Sequence, residues 1–160
     1  MEIRIGHGYD LHQLESRAPD GKPLVLGGVE IDCEFSPVSH SDGDAVLHAI
    51  TDALFGAIGE PDLGTRFPNS SVENMGKDSR YFLCEAVNVL NEGGWAIGNI
   101  DITVIADKPK IGPLKDRICT SLYSLLGAPV NIKGKTHEGT CENGAIEVHV
   151  VALVQRDTRI

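Results

Sequence analysis

Three residues far apart in the chain, Asp10 and His12 in GHGYDLHQ and His48 in HSDGDAVLHAITDAL, ask the most of any fold this sequence can adopt. A carboxylate and two imidazoles are ligands of the kind one divalent metal takes. Three protein ligands leave a coordination position open, which points to catalysis rather than a structural site. Ile3 and Ile5 alternate ahead of Asp10 and His12, so residues 2–10 read as a strand and its end, where positions i and i+2 project to one side. One strand can therefore supply two ligands. His48 falls in an apolar run from Ala45 to Ile58 with helical spacing, opened by Asp44, a good N-cap. The third ligand then comes from a helix. With six histidines in the chain accidental pairs are common, and taken by spacing alone these groups also read as surface and capping residues.

The rest of the chain reads as a single domain of 160 residues. LVLGGVEI carries a two-residue hairpin signal at Gly27-Gly28. Residues 37–43 read as loop, and so does the Gly/Pro/Asn/Ser-rich GEPDLGTRFPNSS. Helices are expected over 79–91, stopped by Gly93-Gly94, and over 114–126, ended by Gly127 and Pro129. Residues 100–106, 130–136 and 145–154 alternate as strands. This order predicts an α+β fold with helices on one face of a mixed sheet. Lys133, Lys135, Glu147 and His149 are left on non-core or interface positions.

Charge and cysteine usage bound the function. A net charge of −9 and a pI near 5.0 argue against nucleic acid, which demands basic stripes. Lys108, Lys110 and Lys115 form the only local basic cluster. Cys33, Cys84, Cys119 and Cys141 have no CxxC spacing, so reduced and mostly buried thiols are expected. No signal segment and no apolar run of about 18 residues is visible, and the expected setting is cytoplasmic and soluble, without a membrane.

Several polar motifs are ambiguous by themselves. Asp42 and Asp44 flank Gly43 in what is by default a helix-capping turn. His40 and Ser41 precede them, and a loop with an imidazole, a hydroxyl and free amides at a helix N-terminus suits an anionic group. Asp62-Leu63-Gly64 is a turn by default and a diol-binding carboxylate if it faces the metal. Glu138, after Thr136 and His137 at a strand end, is a hard oxygen ligand of the type Mg²⁺ uses when it also holds phosphates. Gly6 and Gly8 open no GxGxxG helix, which excludes a dinucleotide fold.

Taken in order and spacing, GHGYDLH, LVLGGVEI, HSDGDAVLHAITDALFGAIG, DLGTRFP, KDSR, GNIDITVIADKPKIGP and VNIKGKTHE closely resemble the 2-C-methyl-D-erythritol 2,4-cyclodiphosphate synthase family over nearly the whole chain. The resemblance implies one catalytic domain over 1–160. It also implies a homotrimer around a central β-lined cavity, and a cytidine diphosphate substrate cyclised with loss of CMP in the non-mevalonate isoprenoid pathway. It places zinc on Asp10, His12 and His48, the residues that spacing had singled out. It puts Mg²⁺ or Mn²⁺ on Glu138 and transition-state stabilisation on His40 and Thr136. Ser41 matches the substrate loop, while Asp62 and Gly64 match the residues that hold the methylerythritol hydroxyls. Phe67, in the FP motif, is expected to contact substrate, as are Lys135 and His137 beside Thr136. Ala106, Pro109, Lys110, Ile111 and Gly112 match the cytosine pocket. That pocket, with Thr136 and Glu138, belongs to the neighbouring subunit in the family.

The pattern departs at Ser71 and Met75, at Lys135 and His137 where the family has threonines, and in a shorter stretch from Glu138 to Ile146. It also lacks the arginine that binds a prenyl diphosphate in the central cavity, so no lipid is assigned there. Two other readings keep the metal: a zinc hydrolase that activates water, and a trimeric binding module with a structural ion.

Overall fold

A computed structural model describes residues 1–157 apart from Asn69, Met75 and residues 141–143. Strand β1, Glu2–Ser16, runs past the expected end at Asp10. The strands β2 (Leu24–Leu26) and β3 (Val29–Ile31) form a separate hairpin. Gly27 and Gly28 both take positive φ, 61° and 76°, as a two-residue turn matched to strand twist requires. A short strand β4 (Phe35–Pro37) follows, then helix α1 (Ala45–Ile58). The stretch expected to be loop contains a four-residue helix, α2 (Leu63–Arg66), because the Asp62 carboxylate accepts the Thr65 N–H at 2.7 Å and caps it. Helix α3 (Ser79–Glu92), β5 (Ala96–Ile105), α4 (Lys115–Leu126), β6 (Val130–Lys135) and β7 (Ala145–Arg156) complete the chain.

The five long-range paired strands lie in the order β4-β1-β7-β5-β6. All pairs are antiparallel except β5 with β6, which α4 connects as the crossover a parallel pair needs. Helix α1 packs on β1 and β7, α3 packs on α1, and α4 packs on β6. The core lies between, from Leu47, Ile50, Leu54 and Phe55 of α1 to Ile102, Val104, Ile132, Val148 and Val150 of the sheet, all essentially inaccessible. The expected α+β arrangement, a mixed sheet with its helices on one face, is what forms. Among the described residues no helix is long and apolar enough to cross a membrane.

Strand β1 turns its faces opposite to what its apolar alternation suggests. Ile3, Ile5, Tyr9 and Leu11 point away from the helices and are 44–68% exposed, while Gly6 and Gly8 face α1. A Cβ on Gly6 would lie 1.8 Å from the Ala53 carbonyl oxygen, and one on Gly8 1.8 Å from that of Ala49. The helix therefore rests backbone to backbone on the strand, an approach only glycine permits. The cysteines also depart from expectation: Cys33 and Cys119 are half-buried and Cys84 is exposed, all with free thiols, while Cys141 lies outside the described residues.

Candidate active site and metal centre

Because side chains alternate along a strand, Asp10 and His12 share the helix-facing side of β1 with Gly6 and Gly8. The glycine contact fixes α1 at a height that brings His48 over them. Asp10 Oδ2 lies 3.0 Å from His12 Nε2 and 3.1 Å from His48 Nδ1, and the two imidazole nitrogens are 3.4 Å apart. A tetrahedral ion with bonds of about 2.0–2.1 Å separates its ligand atoms by ~3.3 Å. The three donors are thus spaced as one face of such a tetrahedron would be, and they are the one group of three or more His, Cys, Asp or Glu side chains among the described residues able to hold a metal ion.

The electrostatics follow from this crowding. Burial of Asp10 disfavours its charge, yet hydrogen bonds from His12 and His48 outweigh that and hold its carboxyl well below the usual carboxylate range. His48 is driven the other way: burial opposes its charged form, but the Asp10 hydrogen bond and the surrounding carboxylates raise it above the ordinary imidazole value. Asp44, at the N-terminus of α1, accepts N–H groups from Leu47, Gly27 and Gly28 at 2.6–3.0 Å. Complete burial still raises it to about 6.

These ligands open into a cavity of about 350 Å³ whose walls include Val38, Ser39, His40, Ser41, Leu63 and Gly64. The 38–43 loop is held by Lys22, whose Nζ donates to the carbonyls of Ser39 (2.6 Å) and Ser41 (3.0 Å). Nothing in the local sequence signals Lys22. Asp52 also lines the cavity, one helical turn beyond His48, and its carboxylate accepts the Leu63 N–H at 2.7 Å. Its i+4 spacing from His48 was the available clue. Burial raises its pKa. Asp62 is exposed and engaged as the α2 cap, and Phe67 packs against Tyr81 and Phe82 rather than lining the cavity.

A second cavity, about 410 Å³, forms at the carboxyl ends of the parallel strands β5 and β6. It is lined by Ala106, Lys110, Ile111, Gly112, Pro113, Gly134, Lys135, Thr136 and Glu138. Glu138 has φ +52°, the only described non-glycine residue in the left-handed region, and its Oε1 accepts the Thr136 hydroxyl at 2.5 Å. Pro109 stands beside this cavity without lining it. The His137 ring turns away and is buried between Asp107 (2.9 Å) and Glu147 (3.2 Å). Its hydrogen bond keeps the Asp107 carboxyl below its ordinary range. In register, Asp10 pairs with Val148, Val148 with Val104, and Val104 with Gly134. The two cavities therefore sit three strand spacings apart within one chain, ~14 Å.

An α+β chain that gathers a carboxylate and two imidazoles along a strand beneath a helix, spaced as a divalent ion would need, with a second cleft at the same sheet's parallel edge, has the layout of a metal-dependent enzyme. The sequence matches the YgbB family over residues 3–155. It is 48% identical over 159 residues to the 2-C-methyl-D-erythritol 2,4-cyclodiphosphate synthase of Aquifex aeolicus (97% of this chain, 99% of that one). It is 50% identical over 162 residues to that of Ralstonia pickettii (98% and 94%). A solved structure of such a synthase in its CDP-bound form superposes with a TM-score of 0.87 at 35% identity, covering 95% of this chain and all of that one. The chain belongs to the YgbB family, that of the 2-C-methyl-D-erythritol 2,4-cyclodiphosphate synthases.

Proposed function

We infer that this chain is a cyclising phosphorus–oxygen lyase. It converts 4-diphosphocytidyl-2-C-methyl-D-erythritol 2-phosphate into 2-C-methyl-D-erythritol 2,4-cyclodiphosphate and CMP, a step of the non-mevalonate route to isoprenoid precursors. The observation that carries the reading is the convergence of Asp10, His12 and His48 on one open point in a chain that matches the family over residues 3–155. An oxygen of the substrate's own 2-phosphate attacks the β-phosphorus. A P–O bond forms there while the bond to the bridging oxygen breaks, and CMP leaves with that oxygen. No protein nucleophile is required. Folding the substrate makes the attack an oriented intramolecular step, which lowers the barrier by several kcal/mol.

The donor set and spacing of the triad suit zinc. Glu138 offers a single carboxylate beside Lys110 and Lys135, a set that Mg²⁺ or Mn²⁺ completes with water and substrate phosphates. When bound, the two ions supply electrostatic stabilisation to the diphosphate. The remaining roles belong to the chain. His40 and Ser41, on the loop that Lys22 pins, offer donors to the phosphates. Asp62 and Gly64 take the methylerythritol hydroxyls, and Phe67 supports them through its packing on α3. Ala106, Pro109, Lys110, Ile111 and Gly112 enclose the cytosine largely through backbone groups. Lys135 and the Thr136 hydroxyl face the phosphates, and His137 braces that strand end from behind.

The assembly we propose is a homotrimer in which the first cleft of one subunit meets the second cleft of the next around a β-lined cavity. Support comes from the uncovered sheet face, where Ile3, Ile5, Tyr9, Leu11 and Val151 are 44–68% exposed and form an apolar patch that needs a partner. The setting is cytoplasmic, with neither membrane nor nucleic acid as partner.

Incubation with the diphosphocytidyl substrate, Zn²⁺ and Mg²⁺, followed by phosphorus NMR, should yield the cyclic diphosphate and CMP. CMP with an uncyclised product would replace this reading by a hydrolase. Site sharing has its own test. Asp10→Asn and Glu138→Gln, each inactive alone, should recover roughly a quarter of wild-type sites after co-refolding, since each half-site is intact half the time. No recovery despite confirmed subunit exchange would put both halves on one chain.

A further inference from the structure

The face of His48 turned away from the triad is as fully engaged as the face turned toward it. Its Nδ1 points at Asp10, while its Nε2 lies 2.8 Å from Ser79 Oγ and 3.3 Å from Ser41 Oγ. Ser79 is fully buried at the start of α3, and its Oγ lies 2.5 Å from Asp42 Oδ1. Asp42 accepts two further N–H groups, from Ser79 through Oδ2 (3.0 Å) and from Asp44 through Oδ1 (3.1 Å).

Proton counting then leaves one arrangement. An ionised carboxylate only accepts, so the single Ser79 hydroxyl proton goes to Asp42. The Ser79 oxygen has only lone pairs left for His48, so Nε2 must carry the proton it donates. A neutral imidazole protonated at Nε2 has its lone pair on Nδ1, the atom that faces Asp10 and His12. Ser41 Oγ, which accepts the Gly43 N–H at 3.2 Å, presents a second oxygen to the same Nε2. Ligating histidines characteristically donate their other N–H to a carboxylate or carbonyl, which fixes the tautomer and strengthens the ligand. Here a buried serine stands between the two.

We propose that Ser79 and Asp42 are positioning residues for the metal centre. The relay Asp42–Ser79–His48 locks the imidazole in the Nε2–H tautomer and aims Nδ1 at the ion. The relay joins the N-terminus of α3 and the 38–43 loop to α1, so it also sets the loop bearing His40 and Ser41 against the metal. The proposal rests on the reading that Asp10, His12 and His48 hold a divalent ion.

Zinc affinity of the full-length protein, measured by competition with a chromophoric chelator, separates the two ideas. His48→Gln should abolish tight binding. Ser79→Ala and Asp42→Asn should each weaken it by about 10–100-fold, as loss of such outer partners does. A merely structural role would lower the melting temperature of the metal-free variants and leave zinc affinity unchanged, and that result overturns the relay while the triad stands. Failure of the wild-type chain to bind zinc overturns the triad itself. A third measurement needs no variant: nitrogen NMR of the zinc-loaded wild type should show His48 protonated at Nε2. Protonation at Nδ1 instead would overturn the relay even if Ser79→Ala failed to fold.

Discussion

The cleft around Asp10, His12 and His48 is assembled from side chains on a strand and a helix locked by direct backbone contact. The cleft from Ala106 to Glu138 is assembled from the loop ends of two parallel strands. In the first, the surroundings are braced: His48 by Ser79, α1 by the Asp44 cap, and the loop by Lys22. In the second, the lining includes two glycines, Gly112 and Gly134, and the bracing sits behind it, in the His137 bridge between Asp107 and Glu147. A rigid first cleft suits an ion that requires fixed ligand spacing. A second cleft lined by glycines, two lysines and one carboxylate suits a flat base and phosphates that bring their own ion.

If the clefts divide the work in this way, their key residues should fail differently. His48→Gln should remove the bound zinc and lower kcat/KM by at least about a hundredfold, equivalent to about 3 kcal/mol of transition-state stabilisation. Added zinc should not rescue it. Glu138→Gln should keep its zinc and lose activity at low Mg²⁺, with partial recovery as Mg²⁺ rises, because substrate phosphates supply much of that ion's shell. Elemental analysis and Mg²⁺ titration distinguish the two patterns. Identical Mg²⁺ profiles for both variants would dissolve the comparison.

The glycines sharpen it further. A Cβ at Gly8 meets the Ala49 carbonyl oxygen at 1.8 Å, and backbone cannot step aside. Gly8→Val should therefore destabilise the fold by about 3 kcal/mol or more, with zinc binding lost as α1 lifts from β1. A Cβ at Gly134 would meet the Cβ of buried Ile111 at 2.9 Å, an atom that no side-chain rotation moves, so the backbone around Ile111 must shift. Gly134→Ala should cost roughly 1–3 kcal/mol, leave zinc affinity intact and weaken nucleotide binding. Denaturant melts read with zinc competition check both halves.

These two regions also differed in how much of them the sequence revealed. The i, i+2 spacing of Asp10 and His12 and the Asp44-capped helix bearing His48 follow local rules, which single out the triad from sequence alone. The Gly27-Gly28 turn was equally local. The second cleft carries no local signal beyond Glu138, because its lining is made from strand ends that only topology brings together, and it was visible only through family resemblance. Local periodicity also ends β1 too early, at Asp10, where the strand runs on to Ser16. Its Ile3 and Ile5 lie on the exposed face, and the face toward α1 carries glycines because the helix sits too close for anything larger. Asp52, Lys22 and Ser79 act across separations of 11 to 31 residues, which no short window captures.

The smallest effect expected is one of pH, and it should touch one cleft only. In the metal-free protein the Asp10 carboxylate raises His48 above its ordinary value near 6.5, so below that pH its Nδ1 holds a proton that zinc must displace. Zinc affinity should then fall about tenfold per pH unit on acidification below the raised value and level off above it. The stability of the metal-free fold runs in the opposite sense. The contribution of His48 is complete below its unfolded pKa and lost as pH rises through the folded one. That of Asp10, whose folded pKa is lowered, is present above its ordinary value near 3.9 and lost on further acidification. Metal-free protein thus gains most from this pair between about pH 4 and 6.5, and the rise in Tm on adding zinc should grow as pH is taken upward from that window. No histidine lines the second cleft, so cytidine binding should change little over the same range. A zinc-induced Tm increment that stays flat from pH 6 to 8 would show that no proton leaves His48 on metal binding, and the electrostatic account of the triad would have to be replaced.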